Sequence, residues 1–559
     1  MESGKTDIDL KNKRKLKKNH YYLMDKEEKE IRKQIIKEHK KERKRRPEKK
    51  GAKSNSIVRI ILVGLAILIQ IGLIFLFIYL MGQEFAVIYS VARTIGIIAA
   101  LLLFGRFWNA QFKLPWIIFI LISPTVGLLV YFMLGRKGTT GSKTQKKYYA
   151  VRKKLQPHYH NNTDIVKFKY SEPELYHQLY YIEKSHNYPV YQGCDIEYYS
   201  EGKYGLRAQI EEMKKAKRFI FFEYHAIENA EAFEEIKQVF YQKVQEGVEV
   251  RVFYDDMGSG GFISHKFINE MREHGVNCRV FNPLKPYMIF FMNNRDHRKI
   301  TVIDGKVGFT GGYNMADEYF DITHPYGKWK DTGIKVTGEA VNSLTLIFLE
   351  NWNAIFNTDY DDEISNYIVD NSSYQAKEPS GVVVPYADGP IETDAFAETV
   401  YMNMIRDSKQ YVYITTPYLI ITDEMTRELI DAAQRGIDVR IITPGVPDKK
   451  MVYRMTRSYY KLLARGGVKI YEYKYGFVHS KMTLVDDYMA VIGTINFDYR
   501  SLYHHFENAC LIAHYDCIKD IKNDFNQMFS VCRDVSDKYK EKKHLSLVEI
   551  ILRLFAPIM

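Results

Sequence analysis

The chain has 559 residues, too many for one ordinary domain, and 46% of them are hydrophobic, enough for a large core. Its net charge of +12 is unevenly placed: residues 1–56 carry 21 Lys/Arg against 10 Asp/Glu, residues 136–154 carry 8 against none, and residues 155–559 carry 47 against 57. An acidic body speaks against an enzyme that tracks a nucleic-acid backbone, which needs Lys and Arg around its cleft, whereas basic flanks suit an anionic lipid surface. The five cysteines (Cys194, Cys278, Cys510, Cys517 and Cys532) are odd in number and lack C-x-x-C spacing. They read as reduced thiols, neither a disulfide framework nor a zinc site.

The basic tail, 1–56, is expected to stay in the cytoplasm. A transmembrane region is expected at 57–135, with helices at about 57–81, 85–104 and 114–134. Ile60–Met81 and Leu114–Leu134 contain no charge and are long enough to span about 30 Å of hydrocarbon. Phe85–Phe104 is also apolar but contains Arg93. Sidedness is in conflict. The stretch with Arg106 and Lys113 and the stretch Arg136–Lys154 both look cytoplasmic, yet a full span lies between them. Either one segment is re-entrant or the body lies outside; we expect a multi-pass cell-membrane protein with a cytoplasmic body. Residues 136–189 read as a basic linker and lead-in. GRKGTTGSKT within it lacks phosphate-loop spacing.

From about residue 190 the chain alternates β-rich and helical stretches, and the order of landmarks then repeats. RFIFFEYHAI (218–227) is matched by YVYITTPYLI (411–420), GVEVRVFYDD (247–256) by GIDVRIITPG (436–445), and GVNCRVFNP by GVKIYEYK. Each Gly-Val or Gly-Ile pair reads as a helix end that opens a strand. YMIFFM (287–292) in the first repeat reads as a buried strand or as a loop touching acyl chains. The predicted fold is α/β: two tandem domains of mixed sheets flanked by helices, at 190–365 and 366–535, related by a pseudo-two-fold axis. A C-terminal amphipathic tail follows at 536–559.

Each repeat closes on the same motif. HRKITVIDGKVGFTGGYN places His297, Lys299, Asp304 and Asn314; HSKMTLVDDYMAVIGTIN places His479, Lys481, Asp486 and Asn496. Every interval is kept across 182 positions. In a strand, residues i and i+2 share a face, so each His lies beside its Lys. Two converging halves would surround one phosphate with two imidazoles and two ammonium groups, and Asn314 and Asn496 would add amide donors. One imidazole could attack phosphorus while the other serves the leaving and entering hydroxyls, which requires opposite protonation states. The candidate catalytic set is thus His297, Lys299, Asp304, His479, Lys481 and Asp486, in which the two aspartates are expected to brace the turns. A carboxylate behind each imidazole would fix its tautomer, and Asp331 and Glu507 are the candidates. His225, His265, His324, His504 and His505 have no repeated partner and are expected to be structural or solvent-exposed.

These residues resemble the paired HKD motifs of the phospholipase D superfamily. The likeness extends to its bacterial cardiolipin synthases through Asn294, Arg295 and His297, GGYNMADEY, WKDTGIKVTG, NFDYRS and FEN. It covers roughly residues 85–559; the long basic tail and the Ile60–Met81 span depart from it. The resemblance implies transfer of a phosphatidyl group from one phosphatidylglycerol to another with release of glycerol. A phospholipase D that uses water or another alcohol as acceptor would need the same residues. One phosphodiester is exchanged for another, so no metal or other cofactor is expected. The expected partners are phosphatidylglycerol and anionic membrane lipids, not nucleic acid.

Overall fold

The computed structural model describes residue 72 and residues 85–106, 109–134, 142–263, 265–283, 294–355, 363–391, 394–541 and 544–558. The tail 1–56, the apolar segment 60–81 apart from Gly72, and the run 287–292 lie outside the described residues.

Two mixed sheets build the body. The first runs β1-β8-β6-β5-β2-β3-β4. Its strands are β1 (Asp195–Tyr199), β2 (Phe219–Tyr224), β3 (Glu249–Asp255), β4 (Asn277–Phe281), β5 (Lys299–Ile303), β6 (Val307–Gly311) and β8 (Gly333–Thr337). The second runs β19-β13-β12-β10-β15-β16-β18-β9. It comprises β9 (Val382–Asp388), β10 (Tyr411–Thr415), β12 (Asp438–Pro444), β13 (Lys469–Tyr473), β15 (Met482–Val485), β16 (Met489–Gly493), β18 (Glu507–Ala513) and β19 (Cys532–Asp534). Two short pairs stand apart: β7 (Lys328–Lys330) with β14 (Gly476–Val478), and β11 (Leu419–Ile420) with β17 (Phe497–Asp498).

Apart from β19, the two orders are the same list of equivalents. β2 pairs in parallel with β3 and antiparallel with β5; β10 does the same with β12 and β15. The repeated sequence landmarks fall on these matched strands. Gly247 and Gly436 have φ of 85° and 93°, the left-handed turn that ends a helix and releases the chain into β3 or β12. Every residue of β2, β10 and β18 is buried, so helices cover the sheets on both faces. One apolar cluster runs through both halves, with Phe219, Ile300 and Leu344 from the first and Val383, Ile414 and Leu484 from the second. Tyr148, Leu175 and Ile182, from the stretch read as a basic linker, belong to it too.

The membrane region differs from the expectation. Among the described residues no helix is long and apolar enough to cross a membrane. Phe85–Phe104 forms one helix, α1. The expected span at 114–134 does not form. In its place stand α2 (Ala110–Ile122) and α3 (Pro124–Leu134). Proline disfavours helical geometry in the residue before it, and Ser123 sits at φ −138°, ψ 80°, outside the helical region. At Gly127 an added Cβ would lie 2.7 Å from the Ile120 Cα, so α3 turns back against the end of α2.

Three further helices matter below. Ser142–Leu155 (α4) packs on Val341–Ile355 (α5), and Leu547–Phe555 (α6) lies near the C-terminus behind a Ser546–Glu549 capping box.

Candidate active site

The segment before β5 is tied down from behind. Arg295 is buried, and its Nε donates to both oxygens of Asp255 at the end of β3, at 3.0 and 2.8 Å. The Asp296 N–H reaches the same carboxylate at 3.0 Å, and Arg298 donates to the Ile347 carbonyl at 2.8 Å. The side chains on either side of His297 are thus committed to the interior. A short bridge, Asp296 with Phe506, then joins this segment to the second half, and the His297 N–H donates to the Phe506 carbonyl at 2.8 Å.

The same arrangement occurs on the other side. β7 of the first half pairs in parallel with β14 of the second, and the His479 N–H donates to the Lys330 carbonyl at 2.8 Å. Each pairing sets a histidine of one half beside a carboxylate of the other. Glu507 Oε2 accepts from His297 Nδ1 at 2.8 Å, and Asp331 Oδ2 accepts from His479 Nδ1 at 2.7 Å. The braces are therefore crossed: neither half supplies both members of a His–carboxylate pair. Both imidazoles are 7% exposed and both carboxylates are fully buried. A carboxylate at Nδ1 requires the proton there, which leaves the Nε2 lone pair to act.

The lysines lie against their histidines, as the i, i+2 spacing requires. Lys299 Nζ donates to the His297 carbonyl at 2.6 Å; Lys481 Nζ donates to the His479 carbonyl and lies 2.8 Å from His479 Nδ1. Burial lowers Lys299 to about 8 and Lys481 to about 7, so at neutral pH Lys299 is largely cationic and Lys481 stands near its midpoint. Burial, then the neighbouring ammonium, holds His297 well below the usual imidazole range and brings His479 to about 3. The opposite protonation states expected of the pair thus do not belong to the protein by itself. Beside the two lysines both imidazoles are held neutral.

Asp304 and Asp486 stand away from the imidazoles. Each lies seven positions after its histidine, about 23 Å along an extended chain. Asp304 accepts three backbone N–H groups, from Lys217, Arg218 and Phe219; Asp486 accepts three from Lys409, Gln410 and Tyr411. Both occupy left-handed turn positions, with φ of 55° and 49°. They fasten each motif's turn to the start of β2 or β10, and they touch no reacting group.

Asn314 is partly committed elsewhere: its oxygen accepts from the Ala226 N–H at 3.2 Å and its amide donates to the Tyr319 hydroxyl at 2.9 Å. Asn496 is buried, and its Oδ1 has no partner among the described residues. Gly312 permits the close approach of the halves. A Cβ there would meet Asp331 Oδ1 at 2.0 Å and the His479 carbonyl at 3.1 Å.

Two histidines set aside as structural or exposed lie at the site. The ring centroids of His225 and His505 are 4.9 and 5.5 Å from that of His297. Both sit well below the usual imidazole range because burial disfavours their charged forms. A signal for His505 was present, because it precedes Glu507 by two residues and so shares its side of an extended segment. His297, His505 and Glu507 each bring one possible ligand atom within 4.8 Å of the others. Glu507 Oε2 is already taken by His297 and by the Thr494 hydroxyl.

Two matched sheets that exchange His–carboxylate pairs define a phospholipase D-like α/β enzyme. A family profile described as "Cardiolipin synthase, PLD-like domain" matches residues 209–330 and 401–529, one block in each half. A cardiolipin synthase of Alkalihalophilus pseudofirmus is 31% identical over 84% of this chain and 93% of its own. An uncharacterized protein of Streptococcus mutans is 40% identical over 80% of this chain and 96% of its own. The chain belongs to the cardiolipin synthase family of phospholipase D-like phosphatidyltransferases. A crystal structure of phosphatidylserine synthase from Haemophilus influenzae superposes with a TM-score of 0.51 at 15% identity, over 68% of this chain and 97% of that one, which shows the shared fold.

Proposed function

We propose that this enzyme joins two phosphatidylglycerol molecules into cardiolipin and releases glycerol, through a phosphohistidine on His297. The observation that carries the reading is the crossed pair of His–carboxylate braces, which supports two imidazoles acting on one phosphorus atom. The bound phosphodiester anion offsets Lys299 and Lys481 and raises the imidazole that must hold a proton. His297 Nε2 attacks phosphorus; the P–N bond forms as the P–O bond to glycerol breaks, and imidazolium His479 gives the leaving oxygen its proton. A hydroxyl of the second phosphatidylglycerol then attacks. His479 takes its proton, the P–N bond breaks, and the enzyme returns to its starting state. Glu507 and Asp331 hold the two tautomers, and Asn314 and Asn496 line the phosphate.

Labelled phosphatidylglycerol in mixed micelles tests this. Cardiolipin and glycerol in equal amounts are expected; phosphatidic acid as the sole product would assign a hydrolase instead.

The lysines give the reaction a pH dependence. A lysine is cationic below its pKa, so the charge that attracts the phosphodiester is present at pH 6 and lost as pH rises through about 7 to 8. KM for phosphatidylglycerol is expected to climb between pH 6.5 and 9, with kcat changing less. A KM that stays flat over that range would mean that the ammonium groups do not bind the substrate.

A further inference from the structure

The chain before and after the 114–134 segment docks on one wall of the body. At the entry, the Asn109 side chain accepts from the Gln111 N–H and donates to Glu424 at 2.9 Å. The Phe112 ring packs on Tyr499, Tyr503 and His504, with centroids 5.3, 4.7 and 5.8 Å away. At the exit, in α4, Tyr148 stacks on Phe506 at 5.0 Å and donates to Asn351 at 2.9 Å, and Arg152 pairs with Glu350 at 3.1 Å. His504 and Phe506 are two residues apart, at most about 7 Å. A segment that crossed about 30 Å of hydrocarbon could not end on both.

The hairpin's dimensions fit half of that thickness. Thirteen residues in α2 and eleven in α3 rise about 20 and 16 Å. Its tip meets α1 near the middle of that helix, for a Cβ on Gly96 would lie 3.1 Å from Pro124 Cβ. From Gly96 to the end of α1 at Phe104 is about 12 Å. The tip is apolar and uncovered, with Leu121 52% and Ile122 74% exposed. Beside α2 lies α6, whose Leu552 packs inward while Leu547, Ile551 and Phe555 face outward. An apolar surface of this extent on several neighbouring helices marks a site of contact with other apolar matter. Arg106 precedes the hairpin, Lys113 lies in its first turn and the acid-free stretch 136–154 follows it, so cations flank both feet as an anionic lipid surface requires.

We propose that α2 and α3 form a re-entrant hairpin that enters a single leaflet from the side of the catalytic body, turns at Ser123–Pro124 near mid-bilayer and returns, with the outer face of α6 lying on the same leaflet. This rests on the reading of the substrate as a membrane lipid, and it deepens that reading. The hairpin's foot packs on Tyr499–His504, immediately before His505 and Glu507, so the active site is held at the headgroups of the leaflet that the hairpin enters. The sidedness conflict disappears, because both basic stretches lie on one face.

Cysteine labelling of the full chain in sealed membrane vesicles of each orientation tests the proposal. All five native cysteines are buried and give a low background. Arg106→Cys and Lys146→Cys are expected to react with a membrane-impermeant maleimide from the same face. Ser123→Cys is expected to react from neither face, and after fluorophore attachment in reconstituted vesicles it should be quenched by lipid with a mid-chain nitroxide. Labelling of positions 106 and 146 from opposite faces would show a full span and overturn the hairpin. Free labelling at 123, or protection there without lipid quenching, would reject the bilayer as the occupant in favour of water or protein. No readout uses turnover, so an inactive chain with the expected labelling would sink the proposed function and leave the hairpin standing.

Discussion

Phosphatidyl transfer is expected to fall by at least about 10⁴-fold in His297→Ala and equally in His479→Ala, because each removes a group that takes part in bond making or proton transfer. The two losses should not multiply: His297→Ala/His479→Ala should be no slower than either single variant, since a site lacking one partner has little left to lose. Each substitution strands a buried carboxylate, Glu507 or Asp331, at a cost of about 1–3 kcal/mol, which lowers stability without unfolding the chain. Initial rates on purified variants, with near-ultraviolet circular dichroism as a check on folding, read this out. If one variant keeps more than about a tenth of the parent rate, its histidine is not part of the chemistry.

The second large effect concerns the crossed carboxylates. Glu507→Gln and Asp331→Asn preserve shape, but an amide can also donate to Nδ1, which stabilises the wrong imidazole tautomer. Losses of about 10²–10⁴-fold in kcat are expected, with KM nearly unchanged. The crossing adds a sharper expectation. Glu507→Gln, a change in the second half, should add little when combined with His297→Ala in the first, but should multiply with changes outside the site. A double-mutant cycle measures that coupling. Full additivity between Glu507 and His297 would show that the brace does not act through the imidazole.

The strands were legible because their apolar alternation and the Gly-Val and Gly-Ile helix ends occur twice in the same order. The turn-bracing place of Asp304 and Asp486 was legible for a related reason: each ends a strand where the chain must reverse. Three features were not. The crossing of Glu507 to His297 and of Asp331 to His479 depends on the pairing of β7 with β14 and of Asp296 with Phe506, contacts between halves that no local pattern encodes. The protonation of the histidines follows from burial beside Lys299 and Lys481, a property of the assembled pocket. The third is the break at Ser123–Pro124. An uncharged run of 21 residues reads as a span by hydropathy, but Pro124 disfavours helical geometry at Ser123, and the docking of Phe112 and Tyr148 on neighbouring residues sets the outcome.

A burst experiment tests most directly whether the two halves make one site. His479→Asn mixed with a phosphatidyl p-nitrophenol, whose leaving group needs no proton, should release one equivalent of p-nitrophenolate per chain and then stop, with the phosphatidyl group found on His297. Two equivalents per chain, or an equal burst from His297→Asn with the adduct on His479, would contradict a single site with His297 as its nucleophile.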